Sequence, residues 1–155
     1  MTYFSYYSYD SSQYSYSQPT QSINNNNTFD ITSISDNERD SVYPQTESSG
    51  NNVYVTWQDN LFGHNRLNYD ILLKTSSDGG KTFGEVINLS NNTGFSEHPQ
   101  MAVNGSNVHI VWADNTKLNR DIYIISSSDG GKTFGEVINL SNNTADSYNQ
   151  EISVD

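Results

Sequence analysis

Residues 76–93 and 127–144 carry the same string, Ser-Ser-Asp-Gly-Gly-Lys-Thr-Phe-Gly-Glu-Val-Ile-Asn-Leu-Ser-Asn-Asn-Thr, written twice, 51 residues apart. This duplication constrains the fold more than any single residue does. A unit of about 50 residues cannot bury both of its faces alone, so copies of it have to stack on one another. The likeness extends upstream of the identical string. Ser41-Val-Tyr-Pro44-Gln45 matches Ser96-Glu-His-Pro99-Gln100, and Asn52-Val-Tyr-Val-Thr-Trp57-Gln-Asp59 matches Asn107-Val-His-Ile-Val-Trp112-Ala-Asp114. Each copy therefore holds four segments, at approximately 43–49, 52–59, 69–76 and 84–90, and at 98–104, 107–114, 121–128 and 135–141. The links between them are Gly, Asn and Asp clusters of the kind that make turns.

Within the second segment Val53, Val55 and Trp57 alternate with Tyr54, Thr56 and Gln58, and Val108, Ile110 and Trp112 repeat the apolar side. That is a period of two, the mark of strands, and β-branched enrichment argues against helix. The expected fold class is all-β. Four antiparallel strands per repeat describe a β-propeller blade, so 43–90 and 98–141 read as two full blades. Segment 29–35 reads as the fourth strand of a preceding copy and 149–154 as the first strand of a following one.

The turn between third and fourth segments carries a recognisable motif. Ser76, Asp78, Gly80, Thr82 and Phe83, repeated as Ser127, Asp129, Gly131, Thr133 and Phe134, fill every fixed position of Ser-x-Asp-x-Gly-x-Thr-aromatic. The chain thereby resembles the Asp-box, or bacterial neuraminidase repeat, family over about 29–155, which implies part of a six-bladed sialidase-like propeller. The motif is also sound as a structural turn. Asp-Gly supplies left-handed backbone, the carboxylate accepts local N–H groups, and the Phe can fold under the turn.

Two chemical readings of the same string fail. Gly80-Lys81-Thr82 imitates the end of a phosphate loop, but Thr75 and Ser126 stand where its first Gly belongs and a strand follows. A calcium loop starting at Asp78 would place Gly80 at its third position and Leu89 at its twelfth, where oxygen ligands are required. No metal or cofactor is expected.

The best-known relatives implied by the resemblance are exo-sialidases, in which three arginines clamp a carboxylate, a Tyr activated by a Glu is the nucleophile, and an Asp is the acid/base. This chain has Arg39, Arg66 and Arg120 as its whole arginine complement, and none falls in an alignable triad position. Tyr54 and Tyr123 stand within strands opposite His109 and Leu72 of the other copy, where packing residues go. No catalytic residue carries over. Strand alternation puts both Asp-box turns on one rim and the loops between second and third strands, with the inter-blade links, on the other. Loops carry function, so the candidate ligand rim is Asp59, His64, Arg66, Asp114 and Arg120, with Ser96-Glu97-His98 beside it. Arg66 lies in an insertion that the second copy lacks.

Composition narrows the partners. With 7 basic against 18 acidic residues the net charge is -11, which offers no counter-charge to nucleic acid or to an anionic membrane. No apolar run approaches the ~20 residues of a spanning helix, so no membrane insertion is expected. Cysteine is absent. Residues 1–28, where tyrosines alternate with Ser and Gln ahead of Asn24 to Asn27, read as a disordered tail. Asn26, Asn88, Asn91, Asn104, Asn139 and Asn142 each open an Asn-x-Ser/Thr acceptor triplet. With the acidic balance and the secreted habit of the resembling family, these point to an extracellular or cell-surface setting, although no signal peptide is visible. Two blades cannot close a propeller of ~4–8, so either a longer parent chain or an oligomer would complete it. The functional expectation is a non-catalytic propeller segment that binds a glycan or a protein. The alternative is a fragment of a sialidase-like exo-glycosidase.

Overall fold

The computed structural model describes residues 31–35, 40–60 and 68–155. Chain contacts divide the protein into Met1–Thr32 and Ser33–Asp155, and all the strands belong to the second unit. The tail assigned to 1–28 lies outside the described residues. Eight strands follow in order: β1 (Ser41–Ser49), β2 (Asn52–Asp59), β3 (Asp70–Ser76), β4 (Ile87–Asn88), β5 (Ser96–Asn104), β6 (Asn107–Lys117), β7 (Asn119–Ser127) and β8 (Ile138–Asn139). They form two four-stranded sheets, β1-β2-β3-β4 and β5-β6-β7-β8, antiparallel at every pairing. The protein is all-β, as its alternating pattern requires.

The strand pairings follow from local chemistry that both copies share. β1 joins β2, and β5 joins β6, through two-residue loops opening with Gly50 and Gly105, each at φ 60°. Glycine at the first loop position, with left-handed φ, makes the primed hairpin turn whose twist matches that of its strands. Both first strands then carry a bulge, between Val42 and Gln45 and between Glu97 and Gln100, where three steps on one strand oppose two on its neighbour. The bulged residues Tyr43 and His98 hold φ of 54° and 55°, each ahead of a proline. Left-handed backbone at a non-glycine residue costs about 1–2 kcal/mol, and here the same cost recurs at the same place in each copy.

Three sequence expectations need correction. The fourth strands shrink to Ile87–Asn88 and Ile138–Asn139, because the Asp-Gly-Gly turn and the chain after it make only a brief ladder with β3 and β7. The expected loop Asp114–Arg120 is largely strand, with β6 running to Lys117 and only Leu118, at φ 82°, between it and β7. Neither 31–35 nor 149–154 is a strand, while 29 and 30 lie outside the described residues. The second of these segments nonetheless starts like β5. Ser147 N–H donates to the Arg120 carbonyl as Ser96 N–H donates to Tyr69, and Asn149 has φ 62° where His98 has 55°.

The core lies between the two sheets. β5 crosses β1, β2 and β3, and one cluster combines Tyr54, Ile71, Leu73 and Leu89 of the first sheet with Met101, Val108, Ile110, Trp112 and Ile125 of the second. The Val108, Ile110 and Trp112 face is inward as its pattern implies. In the first sheet it is the Tyr54 face of β2 that meets the shared core, although Trp57 on the opposite face is buried as well. Tyr54 and Thr56 are fully buried, whereas Val53 and Val55 are half-buried, because the second sheet covers the Tyr54 face. Period two specifies that faces alternate, and the neighbour decides which of them is interior.

The second copy of the repeated turn, 127–134, closes the end of this core. A Cβ on Gly131 would lie 3.2 Å from the Tyr54 ring and 3.3 Å from the Thr75 methyl, while one on Gly80 meets only Val53 at 3.8 Å. Both glycines have left-handed φ. Gly80→Ala is therefore expected to cost about 1 kcal/mol of backbone strain, and Gly131→Ala that amount plus about 1–3 kcal/mol for overpacking. Paired urea unfolding of the two variants checks this, since the turns themselves are identical in sequence.

Candidate functional site

The two repeated turns, at 76–83 and 127–134, are built by a carboxylate that folds the backbone around itself. Asp78 Oδ1 accepts the N–H groups of Lys81 and Thr82 at 3.0 and 2.9 Å and the Ser76 hydroxyl at 2.7 Å, while Oδ2 takes the Thr82 hydroxyl at 2.6 Å. Ser76 Oγ in turn accepts the Gly80 N–H at 2.9 Å. Ser127, Asp129, Gly131 and Thr133 repeat every one of these bonds. Phe134 packs against the core cluster, and Phe83 lines a cleft between the two turns. With its acceptor positions engaged by its own turn, each Asp is a structural element.

These bonds also set the acid response. The Thr82 hydroxyl and N–H, followed by the Ser76 hydroxyl, hold Asp78 well below the usual carboxylate range, and Thr133 with Ser127 does the same for Asp129. In the unfolded chain both revert to ~4. A depressed folded pKa means that the unfolded state takes up protons first as pH falls, so this stabilisation is complete above about pH 5 and is lost progressively below it. Carboxyl carbon NMR should find both residues ionised at pH 3 in the folded protein. Asp78→Asn should flatten the acid limb of stability against pH.

The candidate rim divides into two kinds of residue. Asp59 and Asp114, read from the sequence as ligand contacts, are corrected to interior acceptors, both essentially inaccessible. Asp59 Oδ2 takes the Ser41 hydroxyl at 2.6 Å and the Trp57 indole N–H at 2.8 Å. Asp114 takes the hydroxyls of Ser96 and Thr116, the Thr116 N–H and the Asn92 amide. Their strand partners Asp70 and Asp121 are buried beside them, each accepting a serine hydroxyl, Ser90 or Ser141, at 2.9 Å. The Asn139 amide, then Ser141 and further donors, lowers the Asp121 pKa. Burying carboxylates side by side is tolerable only with such donors in place. Asp70 and Asp121 escaped notice in the sequence, although each follows the link into a third strand at the same repeat position. His64 and Arg66 lie outside the described residues.

What the rim presents to solvent comes from other positions. Arg120 donates to Glu97 at 2.9 Å, and Glu97 in turn raises the guanidinium pKa. The Arg120 backbone N–H is held by Asp146. A cleft of about 870 Å³ runs beside this pair, lined by Glu97, His98, Gln100, Arg120, Tyr148 and Gln150 among others. The bulge turns Tyr43 and His98 outward, with ring centroids 4.5 Å apart in an edge-on contact, and both rings are about half exposed. Tyr148 is more exposed still, at 62%. The described rim therefore combines aromatic rings and amides with charged groups, the mutually neutralised Arg120–Glu97 pair together with Glu151 of the cleft and the exposed Lys117.

Among the described residues, no group of His, Asp and Glu could hold a metal ion, and no helix is long and apolar enough to cross a membrane. By fold the protein belongs to the all-β class, with two four-stranded antiparallel sheets sharing one core. No protein-family model and no curated protein sequence matches the chain.

Replacing Asp114 by Ala leaves the buried Ser96 hydroxyl, the half-buried Asn92 amide and the Thr116 donors without their acceptor. The expected loss is roughly 3 kcal/mol, and Asp114→Asn, which restores one carbonyl, should recover part of it. Denaturant midpoints of the two variants measure both effects.

Proposed function

We propose that the chain is a non-catalytic segment of a sialidase-like, Asp-box β-propeller type, acting outside the cell or at its surface as a binding module for a glycan or protein. The Asp-box motif, repeated with the same bonds in the same strand–turn context, supports the family assignment. The stacking of one four-stranded unit on the next supports a blade-like architecture.

One observation carries the binding reading over a catalytic one. Arg120, the arginine of the described rim, is committed to Glu97 and lies beside Asp146, so it is not poised to clamp a substrate carboxylate. Enzymatic stabilisation of charge needs donors already aimed at the reacting group. The exposed Tyr43, His98 and Tyr148 rings beside the Gln100 and Gln150 amides instead suit the apolar face and hydroxyl edge of a saccharide, or a peptide.

An immobilised array of neutral and acidic glycans tests this on the full chain. Binding should fall about tenfold with Tyr148→Ala, the loss of one well-placed aromatic anchor. A fluorogenic sialoside should not turn over. Turnover abolished by an Arg120 substitution would replace the binding reading with a glycosidase one. Location has its own measurement. Asn91 and Asn142 are exposed at φ 38°, whereas the Asn139 amide is held by Asp121 at 2.8 Å. Intact-mass analysis after passage through a glycosylating secretory pathway should find glycans at Asn91 and Asn142 and none at Asn139.

A further inference from the structure

Asn104-Gly105 is the one Asn-Gly pair in the sequence, and the same place in the first copy is held by Ser49-Gly50. The pair opens the loop of the β5–β6 hairpin, where Asn104 stands opposite Asn107 and both Asn104 and Gly105 are exposed. Gly105 has φ 60°, and a Cβ placed on it would meet no atom within 4 Å. Among the described residues no group accepts the Gly105 N–H, and the Asn104 side chain is engaged through its Nδ2, which donates to the Asp155 carbonyl. A side-chain carbonyl carbon therefore adjoins a backbone nitrogen that is neither shielded nor bonded. The chain holds two related pairs, Asp78-Gly79 and Asp129-Gly130, and the fold disarms both. The Gly79 N–H donates to the Asn51 carbonyl at 2.8 Å and the Gly130 N–H to the Ser106 carbonyl at 2.9 Å. Both oxygens of each aspartate are bonded within its own turn, and those bonds keep the carboxylates ionised. An ionised carboxylate repels a nucleophile and has no leaving group until it is protonated.

We propose that Asn104 is a site of self-modification, at which the folded chain deamidates through a cyclic imide. The Gly105 nitrogen gives up its proton to water and bonds to Asn104 Cγ. The Cγ–Nδ2 bond breaks, and Nδ2 takes a proton from water and leaves as ammonia. Water then opens the five-membered ring at either carbonyl. Opening at Cγ leaves aspartate, and opening at the Asn104 backbone carbonyl leaves isoaspartate, with the main chain now running through the former side chain. Water is the sole co-reactant, and nothing is oxidised or reduced. Glycine favours ring closure because it sets no Cβ beside the attacking nitrogen and lets the peptide turn towards the side chain. Either product adds a negative charge to the net -11. Isoaspartate also adds a backbone carbon at the end of β5. The Ser106 carbonyl of this hairpin holds the Gly130 N–H, so the change reaches the second repeated turn. The first copy is immune, because Ser49 has no amide to lose. The step does not depend on what the rim binds.

Peptide mapping by mass spectrometry tests the proposal on the full chain, free of glycan at Asn104 and held in warm neutral buffer. Asn104 should convert to a mixture of aspartate and isoaspartate about tenfold or more faster than Asn51 and Asn91, exposed asparagines followed by a bulkier residue, a barrier lower by about 1.4 kcal/mol or more. Asn104→Ser, which installs the residue of the first copy, should abolish the product while the near-ultraviolet circular dichroism stays unchanged. Asp78 and Asp129 should give no isoaspartate in the folded chain and should give it in urea, where their turn bonds are lost. An amide at Asn104 that lasts as long as those of Asn51 and Asn91 would overturn the proposal. So would isoaspartate that forms at Asp78 or Asp129 of the folded chain ahead of Asn104.

Discussion

A four-stranded sheet has two faces and no interior, and this protein resolves that constraint by laying its second sheet on the Tyr54 face of its first. The shared cluster from Tyr54 to Ile125 is the core on which the other features depend. Removing nine apolar side chains from water at about 1.5–3 kcal/mol each outweighs the backbone strain accepted at Tyr43 and His98. The stacking also explains the form of the second Asp-Gly-Gly turn. Glycine is favoured at position 131 both by its left-handed φ and because a methyl group there would press on the Tyr54 ring and the Thr75 methyl.

The ends of the sheets obey an electrostatic rule. At one end four aspartates, Asp59, Asp70, Asp114 and Asp121, are buried as acceptors for serine hydroxyls and other donors. At the other end Asp78 and Asp129 sit in solvent-facing turns and collect their donors locally. An acidic composition that looks on paper like surface charge is thus partly internal. These aspartates tie strands and junctions together, as when the Asn92 amide joins the inter-sheet link to Asp114.

Much of this was legible in the residues. The duplicated string located both turns, the Gly-opened hairpins and period-two alternation located the longer strands, and the motif residues form the bonds their chemistry implies. Other features were not legible. The fourth strands are too brief to leave a pattern, and the Asp114–Arg120 segment was read as a loop because its polar residues resemble turn chemistry. Asp59 and Asp114 were misplaced on the rim for a similar reason. An aspartate at a strand end has the same one-dimensional signature whether water or a ring of hydroxyls solvates it.

The sequence by itself determined the number of units, the antiparallel strand pattern and the self-contained turn, because each depends on contacts within a few residues or on a repeat that can be read directly. The tertiary structure decided which face of each sheet is interior, which carboxylates are buried, and why one string is covered in its first copy and open in its second. Burial is a property of a pair of surfaces. Leu89 and Leu140 have the same neighbours in the chain and different neighbours in space.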